Sequence, residues 1–512
     1  MKTRMKKTDK LIVTHSKALL NKYGKGRGAI LDAMRQLIKS DAGKGIQAVL
    51  VFVDEANKSI PGFKPVKDAS DPAQHKKAID NLYRYYKPDY LLILGSRDVI
   101  PHVPMQNLAD KEDRFVNSDL PYACEEPYSI APGDFIAPSR VVGRLPDITG
   151  GTDYRYLVRL LNYAAKAKPI SIQPDEDYFA ICVPAWKNSA VDGLRLMVHD
   201  YDDLKLCPPQ SPHAYSANDL KPRIHFFNCH GNKNKPEFYG QHGNNFPMAL
   251  SSHVINGKIK PGTVVAAECC YGADLYDPSP STELPICNTY LINGALCFMG
   301  STTVAYGAAT GQGQADLLTQ YFVQYLLQGA SAGRAFLQAR LDFMHQRLAQ
   351  KDPADLKTMS QFLLLGDPSV QLVESPSHAE LSKILNKREL QQAAAHRRSN
   401  RRIVMHGHSL AVKTSAFLPK HIPGKRPAAV EAHIRRIAKH YKLDTYERTT
   451  FSYGNRKASA LKQSENKPAM HCHHLVKSRK AVIGGSARML TELLVIQEAG
   501  GEITDVRHYQ AR

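Results

Sequence analysis

The chain has 512 residues, 43% hydrophobic and 23% charged, with a formal net charge of +20. That length exceeds one growing core and the composition is that of globular material, which excludes a disordered or fibrous chain. No run of eighteen apolar residues occurs, and the apolar stretch Leu11–Val13 is too short for a signal-peptide core, so neither a membrane span nor a leader is expected.

The nine cysteines are odd in number and include no C-x-x-C pair. Buried free thiols and a reducing, cytoplasmic setting are the expectation, not a disulfide framework or a zinc ribbon. The charge is unevenly placed. Residues 377–512 hold 26 Lys+Arg against 10 Asp+Glu, so the preceding 376 are close to neutral and the basicity belongs to an appendage.

Strand and helix signals alternate from the start. Leu11–Val13, Gln47–Val53 and Asp89–Gly95 read as buried strands, and residues 28–39, 72–86 and 153–166 have helical spacing, with a short strand at Arg140–Leu145. This pattern predicts βαβ units and a parallel sheet over residues 1–170. A second α/β unit is expected over 171–376. Its strands are Tyr178–Val183, Arg223–Cys229, Gly262–Ala267, Ala295–Met299 and Val370–Val373; its helices are 190–201, 247–256, 284–293, 314–327 and 332–348. Residues 377–427 read as a partly flexible linker, and 428–445 and 486–498 as helices of a small basic, His-rich C-terminal region.

Two apolar runs end in reactive residues. RIHFFNC (223–229) is followed by His230-Gly231, and GTVVAA (262–267) by Glu268-Cys269-Cys270-Tyr271-Gly272. At the C-terminal tips of neighbouring parallel strands, a His and a Cys would face one crevice, where open α/β sheets place their chemistry. There the imidazole would deprotonate the thiol and supply a nucleophile at neutral pH. Successive strand residues point to opposite faces, so at most one of Cys269 and Cys270 meets His230. Cys270 is the favoured one, because the strand should end before the reactive thiol and the nearby Gly272 helps expose it.

The chain resembles the caspase-like cysteine peptidases (caspases, legumain, separase and the gingipains), and within them the gingipain-type family. The resemblance covers roughly residues 80–375. DYLLILGSRDVIP (89–101), SDLPYA (118–123), VVGRLPD (141–147), NCHG (228–231), AAECCYGADLYD (266–277), GSTTVAYG (300–307) and LLGDPSVQL (364–372) carry it. It implies an α/β, caspase-like, gingipain-like parallel-sheet body of two subdomains plus the basic C-terminal region, and a cysteine endopeptidase acting on polypeptide substrates. Catalysis would fall to His230 and Cys270, with an oxyanion hole formed by the main-chain N–H groups of Gly231 and Cys270. The caspase spacing Cys-x-Gly fits Cys270, whereas the gingipain spacing Cys-x-x-Gly fits Cys269. Some relatives cut after basic residues with an acidic residue in the pocket. Asp192 is the positional candidate for that acid, Glu268 adjoins the site, and Ser301 and Thr302 lie in the segment expected to line the pocket.

No metal or organic cofactor is expected. His471-Cys472-His473-His474 is too contiguous for a zinc site and reads as a solvated or weakly chelating stretch. The Gly-x-Gly of residues 306–314 lacks the Lys-Ser/Thr of a phosphate-binding loop. The alternative to a peptidase is an inactive caspase-like scaffold whose basic tail, with HRRSNRR (396–402), binds nucleic acid or an acidic protein.

Overall fold

Three apolar runs in the first hundred residues form parallel strands: β1 (Lys10–Thr14), β2 (Ala48–Phe52) and β3 (Tyr90–Leu94). Helices α1 (Ser16–Tyr23), α2 (Arg27–Gly43) and α3 (Pro72–Tyr86) connect them. Helix α3 starts sharply because the Asp71 carboxylate accepts the N–H groups of Ala73 and Gln74, with Pro72 at the first helical position. A hairpin of β4 (Val103–Gln106) and β5 (Phe115–Ser118) precedes β6 (Val142–Leu145) and α4 (Tyr154–Lys166). The structure, a computed structural model, describes residues 8–110, 113–170, 178–198, 201–212, 215–278, 283–309, 311–347, 352–374, 420–421, 426–453 and 470–512.

The second half supplies β7 (Tyr178–Cys182), α5 (Lys187–Leu194), β8 (Lys205–Leu206) and β9 (Ile224–Asn228). Three short strands, β10 (His230–Gly231), β11 (Glu237–Tyr239) and β12 (Met248–Ser251), form a separate antiparallel sheet before α6 (Ser252–Ile255). Then come β13 (Val264–Ala267), α7 (Ile286–Ile292), β14 (Cys297–Ser301), β15 (Tyr306–Ala308), α8 (Gln314–Leu327), α9 (Ala332–Arg347), α10 (Pro353–Gln361) and β16 (Phe362–Gly366).

One ten-stranded sheet, ordered β2-β1-β3-β6-β16-β14-β13-β9-β7-β8, runs through both halves. It is parallel except at β16–β14, where the pairing is antiparallel. That seam sets the directions: β7, β9, β13 and β14 all present their C-terminal ends at one edge.

A second sheet is antiparallel and C-terminal. It contains β17 (Lys420–His421), β18 (Glu447–Tyr453), β19 (Met470–Ile483), β20 (Ser486–Ala499) and β21 (Glu502–Ala511), and β15 of the body closes it as an edge strand paired to β21. Helix α11 (Ala428–His440) packs Val430, Ile434 and Ala438 against Leu475, Leu494 and Ile496.

Several expectations are corrected. Residues 486–498 are strand, not helix: Gly484-Gly485 and Gly500-Gly501, all at positive φ, make two-residue turns that clamp β20 between β19 and β21. The His471–His474 segment is buried within β19, not solvated. Residues 247–256 divide between β12 and α6. The strand expected at 370–373 lies instead at β16, and Val373 makes only a single bridge to Ile170. The linker and the HRRSNRR segment fall outside the described residues.

Lys10 ties the first strand to the last of the main sheet. Its fully buried ammonium donates to Asp41 Oδ2 at 2.8 Å and to the Asp367 carboxylate in the turn after β16. Burial alone would favour neutral Lys10, but the two carboxylates overcome it and raise its pKa. Lys10→Met should cost about 3–5 kcal/mol in urea unfolding, because it leaves buried carboxylates without their counter-charge. Adding Asp41→Asn and Asp367→Asn should recover most of that loss.

Candidate active site

Strands β9 and β13 pair in parallel, with Ala267 opposite Phe227. His230 and Cys270 each lie three residues past that pair, so the two strands deliver them to the same level at the same edge. Gly231 is needed there by crowding, since a Cβ on it would collide with the main-chain oxygen of Cys270. Tyr271, just after the thiol, sits at φ +56°, a conformation that turns the chain sharply away. Its hydroxyl is anchored on the Asp113 carboxylate at 3.0 Å.

His230 is 2% exposed, its ring edge-on to Trp186 at 4.6 Å and to Phe246 at 5.3 Å. Its Nε2 lies 2.9 Å from Gln241 Oε1, and the Gln241 amide is oriented by donating from Nε2 to the Gly243 carbonyl. An amide oxygen only accepts, so His230 carries its proton on Nε2 and leaves Nδ1 as a buried lone pair. Burial, then the nearby Arg488 guanidinium, push the His230 pKa down to about 3, so the ring is neutral.

The two adjacent thiols point apart. Cys269 faces back into the sheet, with Sγ 3.8 Å from the Phe227 carbonyl and Cys229 alongside. Cys270 points the other way, toward Ala305 and Arg488. Its Sγ accepts the Ala305 N–H at 3.2 Å and an Arg488 Nη2 donor at 2.7 Å. Arg488 also donates to the Gly231 carbonyl and, at 3.2 Å, to the main-chain oxygen of Arg512. That same Arg512 oxygen accepts the Cys270 N–H at 3.4 Å.

Arg512 fills a closed pocket. Its Nη2 donates to Asp316 Oδ1 at 2.8 Å and to the Ala308 carbonyl at 3.0 Å, and its guanidinium lies 4.2 Å over the Trp186 ring. Asp316, in the first turn of α8, is held through Oδ2 by the Ala308 N–H at 2.7 Å. Gly307 leaves room for the cation, since any Cβ there would strike the guanidinium. Glu268 borders the pocket and accepts from Thr319 Oγ1 at 2.8 Å. Burial, then the Asp316 charge, drive its pKa well up, which favours the neutral acid at Glu268.

Of the residues expected at the pocket, Asp192 is not brought to it. Its side chain is 46% exposed on α5 and faces Arg195 at 3.5 Å; Trp186, just before the helix, is the residue that meets Arg512. Ser301 and Thr302 are buried beside the site, but their hydroxyls donate to the carbonyls of Thr303 and Asn117. Asp316, Trp186, Gln241, Arg488 and Arg512 were not anticipated. The readable signal for Asp316 was its place at the start of an amphipathic helix, directly after the glycine-rich 306–314 loop.

Among the described residues no cluster of His, Cys, Asp and Glu could hold a metal, and no helix is long and apolar enough to cross a membrane. All nine cysteines are buried, and none is in a disulfide among the described residues.

Residues 223–373 match Peptidase family C25, a family of cysteine-type peptidases, and the matched stretch contains both His230 and Cys270. None of the curated proteins matches the chain's sequence. Two crystal structures of the Saccharomyces cerevisiae separase–securin complex, at 2.6 and 3.0 Å resolution, are similar at 14% identity, with TM-scores of 0.31 and 0.30. These matches cover 61% and 46% of this chain but only 18% and 14% of theirs. The similarity of this chain to Peptidase family C25 thus lies in residues 223–373, the stretch that holds the strand-end His and Cys.

Proposed function

We propose that the chain is a cysteine endopeptidase that cuts polypeptides after arginine, with Cys270 as nucleophile and His230 as its base. The observation that carries this reading is the Arg512 main chain. Its oxygen lies on the Cys270 N–H while its side chain fills the Asp316 pocket, the pose of an arginine just before a scissile bond.

In this mechanism His230 Nδ1 takes the Cys270 thiol proton, and the thiolate attacks the carbonyl carbon. The oxyanion forms where the Arg512 oxygen now sits, facing the Cys270 N–H, with the Gly231 N–H as the second donor. Collapse breaks the C–N bond, His230 returns its proton to the departing amine, and a thioester remains on Cys270. Water, deprotonated by the same imidazole, hydrolyses it and restores the thiol. Gln241 fixes the tautomer that this role requires.

Arginine fits the pocket better than lysine. A planar guanidinium can stack on Trp186 while spanning the Asp316 carboxylate and the Ala308 carbonyl, whereas an ammonium is a point charge on a shorter stem. A peptide library varied at the residue before the cut should yield cleavage after arginine first and lysine second. Cleavage after acidic or aliphatic residues instead would remove the specificity, and no thiol-dependent cleavage of any peptide would remove the peptidase.

A further inference from the structure

We propose that the segment Tyr509–Arg512 is a built-in, substrate-like inhibitor that must be displaced from the cleft before a substrate enters. The proposal rests on the peptidase reading above and adds its regulation. Three independent contacts lead to it.

First, β21 pairs antiparallel with β15 in the register Tyr306↔Ala511, Gly307↔Gln510 and Ala308↔Tyr509, and the Arg512 N–H donates to the Ala305 carbonyl at 2.9 Å. Those are the main-chain groups that an extended substrate would use. Second, three of the segment's four side chains are met by the body. Arg512 takes the Asp316 pocket, Gln510 accepts from Trp186 Nε1 at 3.0 Å, and the Tyr509 hydroxyl meets Arg347 and Asp352 at 2.7 and 2.9 Å. Third, the β19–β20 hairpin closes the opposite side. The Ile483 carbonyl accepts from Asn232 Nδ2 at 3.0 Å, and Ile483 and Leu490 pack on Tyr239 and Phe246. From this hairpin Arg488 reaches the Cys270 sulfur and the Gly231 carbonyl, ground that a leaving group would cross.

The occlusion is reversible by design of the register. Pairing of β21 to β20 ends at Gln510, opposite Glu492, so Ala511 and Arg512 are held by the body and by the single Arg488 bond to the Arg512 oxygen, and can peel away without unzipping the C-terminal sheet. No bond is made or broken in the process. The segment also states its substrate: a peptide ending Tyr-Gln-Ala-Arg at the cut.

The test uses the full chain as wild type, Arg512→Ala and Arg488→Gln. Two rates are measured: hydrolysis of a Tyr-Gln-Ala-Arg coumarin amide, and alkylation of Cys270 by iodoacetamide mapped by mass spectrometry. Arg512→Ala should raise both by about tenfold or more, the scale at which an intramolecular ligand exceeds a free one. Arg488→Gln should speed alkylation. Free Tyr-Gln-Ala-Arg should slow the Arg512→Ala protein again. Equal rates in all three proteins, with peptide hydrolysis present, would overturn the inhibitor and leave the peptidase standing. Faster alkylation in both variants with no hydrolysis in any protein would uphold the occlusion and sink the peptidase.

Discussion

Cys270→Ala should abolish peptide hydrolysis, while Cys269→Ala should keep most of it. The expected loss for Cys270→Ala is about 10^4-fold or more in kcat, since the nucleophile and its base act as one unit and the remaining oxyanion donors cannot substitute for a covalent intermediate. The contrast follows from direction, not sequence spacing. Both thiols are fully buried, yet only Cys270 shares contacts with the Arg488 and Arg512 groups that line the cleft. Cys269 packs on Phe227 and Cys229, so its truncation should cost stability, on the order of 1 kcal/mol for a small cavity. Rates on an arginyl peptide and urea midpoints for the two variants check this. Unchanged turnover in Cys270→Ala would pass the nucleophile's role to its neighbour.

Asp316→Asn should lower kcat/KM for arginyl peptides by about 10^2- to 10^3-fold, the range expected when one partner of a buried ion pair is removed. Peptides with a neutral residue before the cut should be spared. The pocket has an internal reserve. Glu268 is pushed toward the neutral acid by burial and by the Asp316 charge, so removing that charge favours its ionisation and partial rescue of cation binding as pH rises. The sign is testable: in Asp316→Asn, arginyl kcat/KM should climb with pH through the Glu268 titration, and Asp316→Asn with Glu268→Gln should erase the climb. A flat profile in the single variant would show that Glu268 does not feel the pocket.

Much of the body was legible because buried parallel strands are apolar runs and their connecting helices are amphipathic. The runs at 47–53, 89–95, 178–183, 223–229 and 262–267 all became strands of one sheet, and residues 72–86 became α3. The placement of His230 and Cys270 at neighbouring strand tips follows from the same pattern. The pocket was not legible, for reasons of distance and direction. Asp316 reads as an ordinary first-turn helix acid, and only its contact with a residue 196 positions away shows what it faces. Asp192 has the right chemistry near the right strand, but α5 turns it outward, and it is Trp186, just before that helix, that reaches His230. The C-terminal hairpins had a local sign, two Gly-Gly pairs at the strand ends. The clustered leucines between them imitated helical spacing, and the β-branched Val495 and Ile496 were the counter-evidence.

The borrowed edge strand β15 has a kinetic consequence. A strand tethered to the same molecule competes with every incoming peptide at an effective concentration in the millimolar range, set by chain geometry and not by expression level. Dilution does not weaken it, and protein concentration does not strengthen it. On the proposed occlusion, all substrates would meet the same tax on capture, an elevated KM with unchanged turnover once bound, and a peptide present in local excess, or a partner that grips the C-terminal sheet, would escape it.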